Sequence, residues 1–169
     1  MTFASKADLI LRSPRPADVP TLFNLIKALA DYENLSHTVT GTVTELEAHL
    51  FGNPPRIEAV MAEVNARAVG FALFFYNYST FLTRPGLYLE DLFVLSDYRR
   101  LGIGKAMLKY LARLAVERGC GRLEWSVLDW NAPAIAFYEK MGATVLPDWR
   151  ICRTTGEALL AMAAAEGAN

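Results

Sequence analysis

The sequence predicts an α/β (α+β) chain in which a mixed sheet carries helices on both faces. Three observations lead there. Apolar and aromatic runs come first as hairpins and later as strand-helix-strand, so antiparallel and parallel neighbours are both expected. From Ile103 to Ala115 the apolar residues keep helical spacing. A length of 169 residues with 53% hydrophobic content suits one compact domain, residues 1–169, with a substantial core.

Taken in order, LILR (Leu9 to Arg12) reads as a short first strand, followed by a turn bounded by Pro14 and Pro16. A helix begins near Asp18, which is placed to cap its free N–H groups. Leu22, Leu25, Ile26 and Leu29 form its apolar stripe and LADYENL closes it. Thr42 with Glu45 three residues on is a capping-box pattern. It opens a second, short helix through Leu46, Leu50 and Phe51 that ends before Gly52 and Pro54. IEAVMAEV (Ile57 to Val64) and AVGFALFFYNY (Ala68 to Tyr78), joined by NAR, predict a hairpin, and a loop holding Pro85 and Gly86 leads to a third run, LYLEDLFVL. The long helix after Ile103 stops at Gly119.

RLEWSVL (Arg122 to Leu128) returns to strand character. NAPAIAFYEKMGA predicts a helix with Asn131 as cap, Pro133 in the first turn and Gly142 past the end. A final strand is expected over Trp149 to Arg153, and EALLAMAAAEGAN favours a terminal helix that frays. No internal repeat, low-complexity segment or linker interrupts the chain.

Bulk charge excludes some partners. With 17 basic and 18 acidic residues the net charge is -1, which argues against nucleic-acid or membrane-surface binding. Cys120 and Cys152 lie far apart, and His37 and His49 read as surface residues elsewhere, so neither a disulfide framework nor a metal site is legible. The N-terminal MTFASKADLILRS has Lys6 and Asp8 before an apolar run too short for a signal peptide. No run approaches the roughly 20 apolar residues of a spanning helix. A soluble protein in a reduced, cytoplasmic setting is the expectation.

The chemistry concentrates at DYRRLGIGKAM, where Gly102 and Gly104 precede the long helix. The first N–H groups of a helix lack internal partners and carry partial positive charge, so a glycine turn leading into them can hold a phosphate. Arg99, Arg100 and Lys105 add cationic donors. The alternative is an ordinary tight connection with solvated basic residues. Two phosphate motifs are excluded: a P-loop needs Gly where Arg99 stands and Ser or Thr where Ala106 stands, and the dinucleotide fingerprint needs Gly where Met107 stands.

Arg99-x-x-Gly102-x-Gly104, after LEDLFVL and before a long amphipathic helix, resembles the acetyl-CoA signature of the GCN5-related N-acetyltransferases (GNAT). LYLEDLFVLSDYRRLGIG, WNAPAIAFYEKMGA and the early IKALADYE together resemble the diamine (spermidine/spermine) N-acetyltransferase branch and its thialysine-acetylating relatives, from about Leu11 to Arg153. The resemblance implies a mostly antiparallel sheet splayed at the cofactor site. It implies an acetyl-CoA diphosphate on Arg99, Arg100, Leu101, Gly102, Ile103, Gly104 and Lys105. The pantetheine arm would lie along Leu92, Phe93 and Val94, an extended amide chain adding to a splayed strand. Asn131, Ala132, Pro133 and Ala134 would flank the cofactor, and a homodimer is implied.

Acetyl transfer to an amine makes two proton demands: an ammonium near pKa 10 must lose a proton, and the departing thiolate must gain one. The resemblance assigns the acid to Tyr138, whose alternative role is core packing beside Phe137, and the water-mediated base to Glu90. Neighbouring strand residues face opposite ways, so Asp91 is expected to differ in role, meeting a substrate cation or a structural partner. Implied substrate contacts are Tyr32, Glu33, Glu90, Asp91, Glu124, Trp125 and Ser126, and Trp130 is expected to pack. The branch's acidic stretch after the tyrosine helix is shortened here to ATVLPDWRICR, keeping only Asp148. A shorter diamine, thialysine or another small primary amine therefore fits at least as well as a long polyamine. A non-catalytic acyl-CoA sensor and an enzyme acting on protein amines are the rival readings.

Overall fold

A computed structural model describes residues 9–164. The chain divides into two compact units, between Ser126 and Val127. In the first unit, β1 (Leu9–Arg12), β2 (Glu58–Val64), β3 (Arg67–Ser79), β4 (Arg84–Val94) and β5 (Leu123–Trp125) form one five-stranded sheet in the order β1-β2-β3-β4-β5. Neighbours β1 to β4 are antiparallel, and β5 joins β4 in parallel. Three helices belong to this unit: α1 (Val19–Tyr32), α2 (Val43–Phe51) and α3 (Ile103–Glu117). The second unit carries α4 (Ala132–Lys140) and α5 (Gly156–Ala164). The mixed α/β architecture is the expected one.

Strand alternation sorts the core of the first unit onto two faces. Ala59, Phe71, Leu73 and Phe93 pack with Val19, Leu22 and Leu25 of α1 and Leu50 of α2. The alternate residues, among them Val60, Ala62, Ala72 and Val94, face the other way, where α3 lies against β2, β3 and β4 and buries Ile103, Met107, Leu108, Leu111 and Ala115. Burying each such aliphatic side chain contributes roughly 1.5–3 kcal/mol, and a one-residue slip of a central strand would turn each set toward the helix layer that the other set fits.

Local signals place several elements. Asn65 and Ala66 both have positive φ (51° and 60°), the geometry of a two-residue hairpin turn between β2 and β3. Thr42 Oγ1 accepts from Glu45 N at 3.2 Å while Glu45 Oε2 accepts from Thr42 N at 2.9 Å, so the capping box forms at the start of α2. The last turn of α3 runs into Gly119, at φ 69°.

Four expectations are corrected. Asp18 precedes α1 but gives it no side-chain cap. Its carboxylate accepts instead from Arg15 N at 2.7 Å and from both Nη atoms of Arg12 at 2.7 and 3.0 Å, because a two-pronged charge-assisted pair outcompetes a neutral helix N–H. Pro85 and Gly86 lie inside β4, opposite Tyr78 and Asn77, near the strand's start where a missing N–H is tolerated. β5 covers only Leu123–Trp125, since it pairs with no more of β4 than Leu87 to Leu89. Trp149 to Arg153 form no strand: no ladder partner meets them among the described residues, and Trp149 and Ile151 are exposed. The terminal helix is present as α5, and the remainder of the predicted tail lies outside the described residues.

One irregularity matters for function. Leu73 pairs with Asp91, but the next residue, Phe74, pairs with Leu89. Glu90 is thus the extra residue of a β-bulge, which bends β4 and interrupts its alternation at that point.

Candidate active site

After Leu89, β4 parts from β5, and no strand pairs with that edge between Glu90 and Val94 among the described residues. Leu95 N donates to Val69 O at 2.9 Å, and in an antiparallel ladder hydrogen-bonding residues alternate. Val94, opposite Gly70, and Leu92, opposite Ala72, therefore direct their N–H and C=O groups away from β3, to the open side. Apart from Val94 O, which Arg99 already engages, this edge can accept an extended amide-bearing chain.

The chain then makes a short 3-10 turn, Ser96–Tyr98, and reverses through two left-handed residues, Arg100 (φ 65°) and Gly102 (φ 84°), before α3. Gly102 supplies no side-chain cap, and the first amide of the helix ladder, Ala106 N, reaches Gly102 O at 2.9 Å. The N–H groups of Ile103, Gly104 and Lys105 are left to face outward. A side chain at Gly102 would meet nothing within 4 Å, so the space over this helix end is open. Arg100 and Lys105 are exposed beside it, as is Leu101. Arg99 is half-buried and turned inward: its Nε donates to Val94 O at 2.9 Å, and its guanidinium carbon lies 4.1 Å from the Tyr32 ring centroid and 5.6 Å from that of Phe93.

Tyr32 is the last residue of α1 and Glu33 its C-cap. Asp91 shares the α1 face of β4 with Phe93 and is half-buried, while Glu90 on the bulge is exposed. Burial pushes the Asp91 carboxyl up to about 6, and the charges of Glu90 and Glu33 push it the same way. Burial also raises Glu33. Three carboxylates thus share one region with unfavourable mutual charge, an arrangement that an incoming ammonium relieves.

At the end of β5, Ser126 is exposed and its Oγ lies 2.9 Å from the Tyr88 hydroxyl, and Trp125 is half-buried opposite Leu89. Glu124 is differently engaged: its Oε2 accepts from Asn77 Nδ2 at 2.8 Å and lies 2.8 Å from Arg122 Nε, so that carboxylate is held within the sheet. Tyr88 was not singled out from sequence. The signal for it is its place in the strand run just before the two acidic residues.

In the second unit, Asn131 is the N-cap of α4, its Oδ1 accepting from Ala134 N at 3.3 Å, with Ala132 and Pro133 in the first turn. Tyr138 is half-buried on the same helix, its ring 5.3 Å from that of Phe137.

The acetyltransferase (GNAT) family model matches residues 25–143. The chain belongs to the GNAT family. Among its relatives, L-ornithine N5-acetyltransferase NATA1 of Arabidopsis thaliana is 34% identical, covering 90% of this chain and 86% of that one. Thialysine N-epsilon-acetyltransferase of Bos taurus is 34% identical over 93% of this GNAT protein and 98% of its own length. Of solved structures, an integron cassette protein from the mobile metagenome of V. cholerae has a TM-score of 0.78 at 23% identity, covering 94% of this chain and 99% of that one. An aminoglycoside acetyltransferase from an uncultured soil metagenomic sample has a TM-score of 0.76 at 19% identity, covering 89% and 97%. Both share the fold.

This GNAT protein is an N-acetyltransferase whose acyl donor is acetyl-CoA. The residues present fit that group. Uncapped N–H groups at Ile103 to Lys105 with exposed Arg100 and Lys105 suit a diphosphate, and the open edge at Leu92 and Val94 suits an amide-bearing arm. No helix among the described residues is long and apolar enough to cross a membrane.

Proposed function

We propose that this enzyme acetylates a primary amine of a small molecule by direct transfer, the acceptor being a short diamine or a lysine- or ornithine-like amino acid. The observation that carries the reading is the grouping of Glu33, Glu90 and Asp91 next to the open edge of β4. A cationic amine placed there cancels like charge, and the raised Asp91 returns toward full ionisation as it binds. Relatives named for L-ornithine and thialysine support an acceptor with a compact cationic arm.

Bound acetyl-CoA supplies an electrophilic thioester carbonyl and a thiolate leaving group. Leu92 and Val94 on the open edge and the helix start at Gly102 to Lys105 orient it, Tyr32, Trp125 and Ser126 flank the acceptor, and Glu33 and Asp91 hold the ammonium. Glu90, exposed on its bulge, takes a proton from the ammonium through a water, which frees the lone pair with which the nitrogen attacks, and the proton the nitrogen sheds on acylation leaves through the same water. Tyr138 gives its phenolic proton to the departing sulfur, the C–S bond breaking as the C–N bond forms.

The family match runs through both compact units, which supports residues 1–169 acting as one catalytic domain. A cytoplasmic homodimer, free of nucleic-acid and membrane partners, completes the proposal, and sedimentation checks its subunit number.

Coenzyme A release measured with acetyl-CoA and a panel of ornithine, thialysine, lysine, putrescine, spermidine and a lysine peptide tests the reading. Turnover is expected to be highest on the short free amines. Binding of acetyl-CoA without turnover on any amine would favour a sensor, and preference for the peptide would favour protein amines. Tyr138→Phe is expected to lower kcat about 100-fold or more with acetyl-CoA affinity nearly intact; unchanged kcat removes Tyr138 from the mechanism.

A further inference from the structure

Among the three cations around the glycine turn, Arg99 stands apart. Arg100 and Lys105 are exposed where an anion can reach them, whereas Arg99 is half-buried with its Nε committed to a backbone carbonyl. That carbonyl, Val94 O, is the last acceptor on the open edge of β4. A hydrogen bond there stops an added chain from pairing past Val94 and fixes where its pairing ends.

The same guanidinium also lies over Tyr32, with a Cζ-to-centroid distance of 4.1 Å. Tyr32 closes α1, and the next residue, Glu33, bonds back through its N–H to Leu29 O at 3.0 Å. Phe93, the third contact of the guanidinium, shares a sheet face with Asp91. One side chain therefore joins the end of the strand edge to the helix end that carries Glu33, and Glu33 is one of the two charges felt by Asp91.

We propose that Arg99 is a positioning residue that locks the end of α1 to the β4 edge, setting the distance between the amine-holding carboxylates and the acyl donor, and that it is not a diphosphate ligand. The inference rests on the acetyl-transfer reading above. Lysine cannot replace Arg99 here, because an ammonium on a flexible stem lacks an Nε–H to give Val94 O while a flat face stacks on Tyr32.

The test compares Arg99→Lys, Tyr32→Leu, the double variant and Arg100→Ala. At saturating acetyl-CoA, Arg99→Lys is expected to raise the amine KM about tenfold and Tyr32→Leu, which also flanks the acceptor, at least as much, with the double variant no worse than Tyr32→Leu alone, because Tyr32→Leu has already removed the contact that Arg99→Lys breaks. Arg100→Ala is expected to raise the acetyl-CoA KM instead. Multiplying effects in the double variant, or an Arg99→Lys loss confined to coenzyme A affinity, would overturn the proposal.

Hydrogen exchange on the unliganded protein reads the same contact without catalysis. Arg99→Lys is expected to speed exchange across residues 29–35 several-fold, Tyr32→Leu to speed it across residues 95–101, and Arg100→Ala to leave residues 29–35 unchanged. Unaltered exchange in both of the first two variants refutes the lock. If the wild-type enzyme turned over no amine, the functional reading would fail while the exchange result still decided this contact.

Discussion

Two helix starts in the first unit meet the same physical problem in opposite ways. Each begins with N–H groups that have no acceptor within the helix. At α2, Thr42 and Glu45 satisfy two of them reciprocally, and the Glu45 carboxyl is held below its ordinary value by the Thr42 hydroxyl and N–H. At α3, a left-handed Gly102 offers nothing and the donors point into open space. The carboxylates divide along the same line. Asp18 is gripped by Arg12 and sits well below the usual carboxylate range, whereas burial and then the charges of Glu90 and Glu33 push Asp91 up to about 6. Where the chain builds scaffold it pairs its polar groups internally; where it binds, it leaves them owed to a ligand.

The most direct way to break the contrast is to give α3 an anion of its own. Gly102→Asp places a carboxylate over the uncapped donors. Aspartate tolerates the left-handed region better than most residues, and its charge suits the helix dipole, so stability is expected to move by no more than about 1 kcal/mol. Coenzyme A affinity, measured by calorimetry, is expected to fall about 100-fold, the equivalent of about 2.7 kcal/mol, since the new charge occupies and repels what the diphosphate needs. Undiminished affinity would mean that the diphosphate binds elsewhere.

The two carboxylates sharpen the comparison through pH. Asp18 has a folded-state pKa below its unfolded value, so its contribution is present above about pH 4 and is lost as pH falls through the acid range. Asp91 has the opposite sign. With a folded pKa of about 6, the native state holds more protons than the unfolded one between about pH 4 and 6, and stability declines as pH rises through that window. Asp91→Asn is expected to flatten this decline and to raise the melting temperature at pH 7.5 relative to pH 5. Asp18→Asn is expected to lower stability at pH 7.5, and this effect is expected to shrink below about pH 4 and to vanish only well below pH 3, as the native carboxylate itself protonates. Melting curves across pH that show Asp91→Asn to be destabilising at pH 7.5 would break the pairing.

Legibility in the sequence follows how local each cause is. The β2–β3 hairpin, the α2 capping box and the glycine stop of α3 are each written within a few residues, and the sequence reading finds all three, although it puts Arg67 in the turn where the structure puts it in β3. The length of β5, the bulge at Glu90 and the loss of a strand at Trp149 to Arg153 depend on which neighbour supplies a hydrogen-bond ladder, which no window of residues states. Asp18 misleads for the same reason, because its partner Arg12 lies on a strand. Around the site, the cationic turn and the acidic residues can be picked out by type and spacing. The inward turn of Arg99 cannot, since Tyr32 is distant in sequence; nor can the raised carboxyl of Asp91, which needs Glu33 brought to it.

The smallest effect tests the other half of the contrast. Thr42→Ala removes the hydroxyl that accepts from Glu45 N and donates to Glu45 Oε2, leaving the Glu45 N–H an orphan donor with no ligand to meet it, while the backbone N–H of residue 42 can still reach Glu45 Oε2. Loss of such a cap costs about 1 kcal/mol, which lowers the melting temperature of a chain this size by about 2–4 °C. Because that donor was satisfied internally, coenzyme A affinity should stay within about twofold of wild type. A Thr42→Ala protein that melts normally would show that water replaces the cap without penalty. One that loses coenzyme A affinity would show that α2 and the acyl-donor turn are coupled, and the separation between a start that stabilises and a start that binds would no longer hold.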